Sequence, residues 1–270
     1  MLDSPPAPVN PTGEDAPRPG DDYVQSLARG LAVLRSFGAD APAQTLTDVA
    51  HRTGLTRAGA RRLLLTLQQL GYVASDGRLF RLTPRVLELG FAYLNAQPVW
   101  QRAQPVMEAL VRELGESCSA AVLDGADIVY VLRVPARKIM TVDRGVGSRL
   151  PAFCTSMGRV LLAGLPPEVL PAHLDSLTLT AYTPRTVTDP ALLAARIAQV
   201  REQGYSVVDE ELEPGLISLA APLRDRSGRV VAALNLSGQS SRTPRAVMER
   251  DFLPRLQAAA AQVSALMAMQ

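Results

Sequence analysis

Arginine is the residue type whose spacing in this chain points to chemistry. Arg57, Arg61 and Arg62 lie within the stretch 45–70 (TLTDVAHRTGLTRAGARRLLLTLQQL), and Arg78 and Arg81 follow shortly after it. A guanidinium offers a planar fork of donors that fits phosphate oxygens and base edges, so this cluster suits nucleic acid. Nothing comparable suggests catalysis. His173 is the only histidine beyond residue 51, stands at no ligand spacing to Cys or Asp, and reads as a solvated surface residue. Gly145-Val146-Gly147 lacks the third glycine and the strand-to-helix setting of a dinucleotide loop. The acidic run 209–213 (DEELE) reads as a solvated loop rather than a metal site. Cys118 and Cys154 have no metal or disulfide-framework spacing and read as buried thiols. The expectation is a protein that is not an enzyme, with no catalytic residue, no metal and no cofactor.

Two short helices must position the arginines. Leu46, Val49 and Ala50 have helical spacing, with Thr45 or Thr47 able to cap the start. Gly54 ends that helix, because glycine enters the left-handed region without steric penalty. Thr56 caps the second, whose Ala60, Leu63, Leu64 and Leu67 form one buried stripe. Arg62 then lies nearly opposite the stripe, and Arg57 and Arg61 on its flank. This matches a helix-turn-helix with an arginine-bearing second helix, though a helical hairpin with a solvated basic face has the same pattern. Tyr72-Val73-Ala74 and Leu79 to Leu82 around Asp76-Gly77 read as a β-hairpin. A hairpin directly after a recognition helix is a wing, with Arg78 and Arg81 at or near its tip. Gly59 sits inside the second helix at a cost of roughly 1 kcal/mol relative to alanine and reads as tolerated.

Charge supports the DNA reading. Formal net charge is only +2 over 270 residues, but residues 23–97 hold nine Arg against four acids, whereas residues 1–22 hold one Arg against five acids. The excess sits where phosphate attraction requires it. The Pro- and Gly-rich segment 1–22 reads as a disordered tail. No basic flank with an apolar core opens the chain and no apolar run reaches a membrane span, so a cytoplasmic protein with no membrane contact is expected.

A first helix spans Tyr23 to Phe37, with Leu27, Leu31, Leu34 and Phe37 at helical spacing, and is suited to pack behind the helix-turn-helix or to form a dimer surface. Thr83-Pro84 opens a linker helix with Val86, Leu87, Leu89, Phe91 and Leu94 inside, and Val99 to Leu114 is another helix. The expected division is a tail at 1–22, a winged helix-turn-helix at 23–83, a linker at 84–98 and a second domain at 99–270. In that domain strands are expected at 119–123, 128–134, 139–143, 205–209, 217–223 and 230–236. Helices are expected after Thr155, at 166–174, at 190–202 and at 244–268. The fold class is α+β. Ser218, Asn235 and Ser237 are polar where the strands run apolar, and Asn235 and Ser237 share a strand face. Buried polar groups must be paired, either by neighbouring backbone or by a bound polar small molecule. Ser156 is placed to cap a helix start whose N–H groups suit a carboxylate.

The chain resembles the isocitrate lyase regulator (IclR) family of bacterial transcription factors over about residues 23–268. The stretches that carry the likeness are 27–31 (LARGL), 70–73 (LGYV), 147–151 (GSRLP), 155–163 (TSMGRVLLA), 204–211 (GYSVVDEE) and 215–222 (GLISLAAP). The runs 133–140 (RVPARKIM) and 154–159 (CTSMGR) are similar to the PcaR/PcaU/PobR branch, which regulates protocatechuate, 4-hydroxybenzoate and β-ketoadipate catabolism. The resemblance implies a GAF-like sensor that binds a small organic acid, with Ile139, Met140, Ser156, Met157, Asp209, Ser218, Asn235 and Ser237 at the effector site. Arg133 or Arg137 is added on chemical grounds, as a fork for a ligand carboxylate, with placement on the surface as the alternative. Thr56, Arg57, Arg61 and Arg62 are expected on operator DNA from the helix, and Arg78 and Arg81 from the wing. The partners are double-stranded operator DNA, the effector and a second copy of the chain, as a dimer or dimer of dimers. An IclR-type response to pyruvate or glyoxylate is the alternative within the family.

Overall fold

The computed structural model describes residues 23–136 and 145–269 and divides into two compact units, 1–89 and 90–270. The expected strand at 139–143 lies outside the described residues, as do Arg137, Ile139 and Met140.

The first unit runs α1 (Gln25–Arg35), β1 (Gln44–Thr45), α2 (Leu46–Thr53), α3 (Arg57–Gln69), β2 (Val73–Ser75) and β3 (Leu79–Leu82). Thr45 caps α2 in a reciprocal box: its Oγ1 accepts the Asp48 N–H, and Asp48 Oδ2 accepts the Thr45 N–H at 2.9 Å. Gly54, at φ 66°, turns the chain out of α2. Val33, Val49, Ala50, Ala60, Leu64, Leu67 and Val73 form the core between the helices and the hairpin. β1 joins the hairpin to give the order β1-β3-β2. Two residues are too few for an alternation to be read, so this third strand has no sequence signal. The α1 stripe also splits. Val33 and Phe37 fill the core, while Leu27 and Leu31 are 63% and 47% exposed.

Thr83 caps a short 3-10 turn, Pro84–Val86, that leads into α4 (Leu87–Asn95). Leu87, Leu89 and Phe91, expected inside, are all more than half exposed. Their spacing is helical, but no element among the described residues covers that side.

The second unit opens with α5 (Val99–Leu114). A six-stranded antiparallel sheet follows, built from β4 (Ser117–Asp124), β5 (Asp127–Val134), β6 (Arg149–Pro151), β7 (Ser206–Asp209), β8 (Leu216–Arg224) and β9 (Val230–Gln239). Its order is β6-β5-β4-β9-β8-β7. The helices are α6 (Ser156–Ala163), α7 (Leu170–Asp175), α8 (Pro190–Gln203) and a terminal α9 (Leu253–Ala268). The sheet alternates with period two between two cores. Ala232, Leu234 and Leu236 of β9 pack with Leu219, Met107, Leu110, Leu256 and Val263 under α5 and α9. Ala233, Ala220 and Ala121 pack with Met157, Val160 and Leu161 under α6. The terminal helix is not continuous: Arg245–Val247 and a π-helical turn, Met248–Phe252, precede α9. Pro254 has no N–H to give to residue 250, which loosens the ladder at that turn.

All eight residues of α6 are buried. Gly158 permits this, because a Cβ there would stand 2.0 Å from the Ala152 carbonyl oxygen. Gly158→Ala is therefore expected to cost about 3 kcal/mol, the upper range for overpacking. Gly90→Ala, where nothing lies within 4 Å of the new Cβ, should leave stability unchanged or raise it by up to about 1 kcal/mol. Urea melts of both variants check the contrast; equal midpoints would refute the packing argument.

Candidate functional site

The DNA-facing candidates stand on α3 and the wing. Thr56 is the N-cap of α3, its Oγ1 accepting the Gly59 N–H at 3.1 Å. A Cβ at Gly59 would lie 3.2 Å from that hydroxyl, so the glycine makes room for the cap. Arg57, Arg61, Arg62 and Arg78 are exposed, and their guanidinium groups have no partner among the described residues. Arg57 occupies the first helical position with no acid in that turn. A cation at the positive end of a helix is disfavoured by about 0.3–1 kcal/mol, and an incoming phosphate removes that conflict. The three on α3 are held ready by the apolar stripe behind them, Ala60, Leu64 and Leu67.

Arg81 differs. Its Nη1 lies 3.0 Å from Asp76 Oδ2, both side chains about half exposed. Asp76 Oδ1 also accepts the N–H of Leu79 at 2.8 Å and of Arg78 at 3.1 Å, while Gly77 takes φ 96°. Those backbone bonds, and next the Arg81 guanidinium, hold the Asp76 carboxyl down at about 2. Arg81 thus braces the wing tip, and a pair this exposed is weak enough to be exchanged for a phosphate.

In the second unit the register gathers most of the remaining candidates on the sheet face under α6. Asn235 pairs with Ser119 on one side and Ala220 on the other; Ser237 pairs with Ser117 and Ser218. Asn235 Oδ1 accepts the Ser119 N–H at 3.1 Å, and Arg133 Nη1 reaches Ser119 Oγ at 3.4 Å. Arg133, Ser119, Asn235, Ser237 and Ser218 therefore form a polar bed. Asn235 is partly satisfied by backbone, while Ser218 and Ser237 are half-buried and their hydroxyls have no hydrogen-bond partner among the described residues. Met157 is buried in the core beside Ala220.

Two expectations change. Ser156 is not the cap of α6: Thr155 is, accepting the Gly158 N–H at 3.2 Å. Ser156 is the first helical residue, 1% exposed, and its Oγ is buried without a partner among the described residues. Asp209 does not join the bed. Its register partner is Ile217, which belongs to the core under α5 and α9, whereas Val208 pairs with Ser218. One residue along a strand changes the face. Asp209 Oδ2 instead meets Arg185 Nη1 at 3.3 Å, and Oδ1 is buried without a partner.

Residues 91–265 match the profile of the bacterial transcriptional regulator IclR C-terminal domain, and residues 26–77 that of the IclR helix-turn-helix domain. The chain belongs to the IclR family. It is a ligand-responsive, DNA-binding transcriptional regulator. It is 46% identical over 258 residues to the Pca regulon regulatory protein of Pseudomonas putida, covering 95% of this chain and 89% of that protein. It is 37% identical to the p-hydroxybenzoate hydroxylase transcriptional activator of Acinetobacter baylyi, covering 87% and 89%. Among solved structures, an IclR homolog from Microbacterium hydrocarbonoxydans complexed with 4-hydroxybenzoate superposes with TM-score 0.78 at 28% identity, over 91% of this chain and 100% of that one.

For this IclR-family chain, sequence reasoning missed Ser117, Ser119, Ser206 and Val208. Ser117 and Ser119 are buried at the same two-residue spacing that singled out Asn235 and Ser237, so that signal was present. The acidic run was also misjudged. Glu211 is buried, bound to Arg159 Nη2 at 2.6 Å. His173 is half-buried, with Nε2 enclosed and unpartnered, because α7 lies against α8. No cluster of potential metal ligands occurs among the described residues.

Two predictions follow from this geometry. Arg61→Ala and Arg62→Ala should each lower operator affinity at least about tenfold, or roughly 1.4 kcal/mol, with unchanged thermal stability. Retained gel shifts at physiological salt in both variants would remove α3 from the DNA interface. For the wing, the native Asp76 pKa lies below its unfolded value, so its contribution is present above about 4 and lost as pH falls through about 2. NMR titration of the Asp76 carboxyl should give a midpoint near 2, and Arg81→Ala should raise it.

Proposed function

We propose that this regulator binds a pseudo-palindromic operator as a dimer or dimer of dimers and controls genes for the breakdown of aromatic acids. Its effector is a ring carboxylic acid such as protocatechuate or 4-hydroxybenzoate, or the dicarboxylate β-ketoadipate. The observation that carries this reading is the polar bed: one guanidinium, Arg133, ends a row of hydroxyl and amide groups on a sheet face that is otherwise apolar. Carboxylate recognition needs such a fork, and ring or ketone oxygens need the remaining donors. The names of the Pseudomonas and Acinetobacter relatives, and the 4-hydroxybenzoate in the Microbacterium complex, support the same acid class.

On this reading Arg133, Ser156, Met157, Ser218, Asn235 and Ser237 meet the effector, and Thr56, Arg57, Arg61, Arg62, Arg78 and Arg81 meet DNA. Residues 23–83 read the operator, 84–98 link, and 99–270 sense. Dimerisation through α1 and α4 is supported by their uncovered Leu27, Leu31, Leu87, Leu89, Phe91 and Tyr93. Among the described residues no helix is long and apolar enough to cross a membrane. We place the protein in the cytoplasm, where its operator is.

Thermal melts with protocatechuate, 4-hydroxybenzoate, β-ketoadipate, pyruvate and glyoxylate test the effector. A ligand at ~100 times its Kd should stabilise the native state by roughly 2.7 kcal/mol. A shift with a ring acid or β-ketoadipate, lost in Arg133→Ala, is expected. A shift only with pyruvate or glyoxylate would replace the acid class proposed here.

A further inference from the structure

We infer that Arg159 and Glu211 form a positioning clamp that holds the edge strand β7 and segment 183–187 against α6, and so sets the width of the effector bed. This rests on the reading of the polar bed as the effector site.

Arg159 is 3% and Glu211 8% exposed, and they are 52 residues apart in sequence. The guanidinium makes two contacts: Nη2 to Glu211 Oε2 at 2.6 Å, and Nε to the Phe153 carbonyl at 3.0 Å. Glu211 Oε2 also accepts the Val187 N–H at 3.2 Å. Three segments therefore meet on one carboxylate. A second layer of bonds continues the tie. Thr186 Oγ1 donates to the Glu211 carbonyl and Thr183 Oγ1 to the Glu210 carbonyl, both at 2.6 Å.

Between Val208 in the bed and Glu211 in the clamp the chain passes through Glu210, at φ 58°. A side chain in that left-handed region is strained and persists only where its surroundings hold it. Ser240 Oγ on Glu210 Oε1 at 2.7 Å and Glu210 N–H on the Leu216 carbonyl at 2.8 Å supply that hold. The reversal at Glu210 separates the side chain that faces Ser218 from the one that reaches Arg159.

β7 needs such a tie. It is four residues long and pairs only with β8, so the sheet fixes one of its sides and leaves the other open. Across the bed, Ser156 stands three residues before Arg159, on the same side of α6. The clamp thus fixes the wall that carries Ser206 and Val208 relative to the helix start that carries the unpartnered Ser156 hydroxyl. Neither clamp residue touches the bed itself, so both are positioning residues.

Glu211→Ala removes the clamp, and Glu211→Gln keeps an acceptor for Arg159 and Val187. In the full chain, calorimetry with 4-hydroxybenzoate, protocatechuate and β-ketoadipate should show Glu211→Ala weakening Kd by about tenfold or more and altering the ratio between acids. Glu211→Gln should recover most of the affinity. Without ligand, hydrogen exchange at residues 183–187 and 210–212 should accelerate about tenfold in Glu211→Ala, with β4 and β9 unchanged and with Gln restoring protection. A wild-type Kd in Glu211→Ala, or faster exchange spread evenly over the sheet, overturns the clamp. Should Glu211→Ala not fold, Arg159→Lys, which loses the simultaneous Phe153 contact, is judged by the same readouts. If no acid binds the wild type, the effector class is what fails, and the exchange pattern alone decides the clamp.

Discussion

A helix with no exposed side must satisfy both ends and every polar group inside the protein, and α6 imposes that constraint on the sensor. Its N-terminus is closed by Thr155, and the carbonyls of Ala163, its last residue, and of Leu165 just beyond its end are taken by Arg201 at 2.8 and 2.7 Å. Its one internal charge, Arg159, is matched by a carboxylate drawn in from beyond β7. Such a pair contributes little net stability against an apolar core, yet breaking one half is costly, so it acts more on geometry than on free energy. The sheet beneath answers with alanines at 121, 220 and 233, which let the helix approach. The Ser156 hydroxyl is the group left over.

The DNA-reading unit follows the opposite logic. Its helix α3 buries one stripe and leaves its cations unpaired, so nothing has to be broken before phosphates arrive. The cost of that arrangement is small because the charges are hydrated. The wing tip does carry an ion pair, Arg81–Asp76, and it sits in solvent where exchange is easy.

Local rules made much of this visible in the sequence. Thr45, Gly54, Thr56 and Asp76-Gly77 each state a cap or a turn within a few residues, and the helix-turn-helix and wing stand where those residues put them. Strands β4, β5, β8 and β9 declared themselves as short apolar runs bounded by turns. What failed was information carried by distant or missing partners. Leu27 and Phe91 have the periodicity of buried residues but no cover among the described residues. Glu211 looked solvated because its partner is on another element, and the strand face that Asp209 occupies depends on a register that no local residue declares. Thr155 and Ser156 are both good caps, and only the backbone decides between them.

The two cysteines lie on opposite sides of the sensor sheet, Cys118 in the core under α5 and α9, Cys154 in the core under α6. Both are buried and reduced, and burial pushes the Cys118 thiol well above its ordinary range. Cys118 is therefore no thiolate in the folded protein, and both thiols lie where oxidants or alkylating reagents do not reach them. Transcriptional output should be indifferent to the redox state of the cell, and the protein should tolerate handling without reductant. The same burial turns the pair into internal clocks: the rate at which each thiol becomes modifiable reports how often its own layer peels from the sheet, one layer at a time.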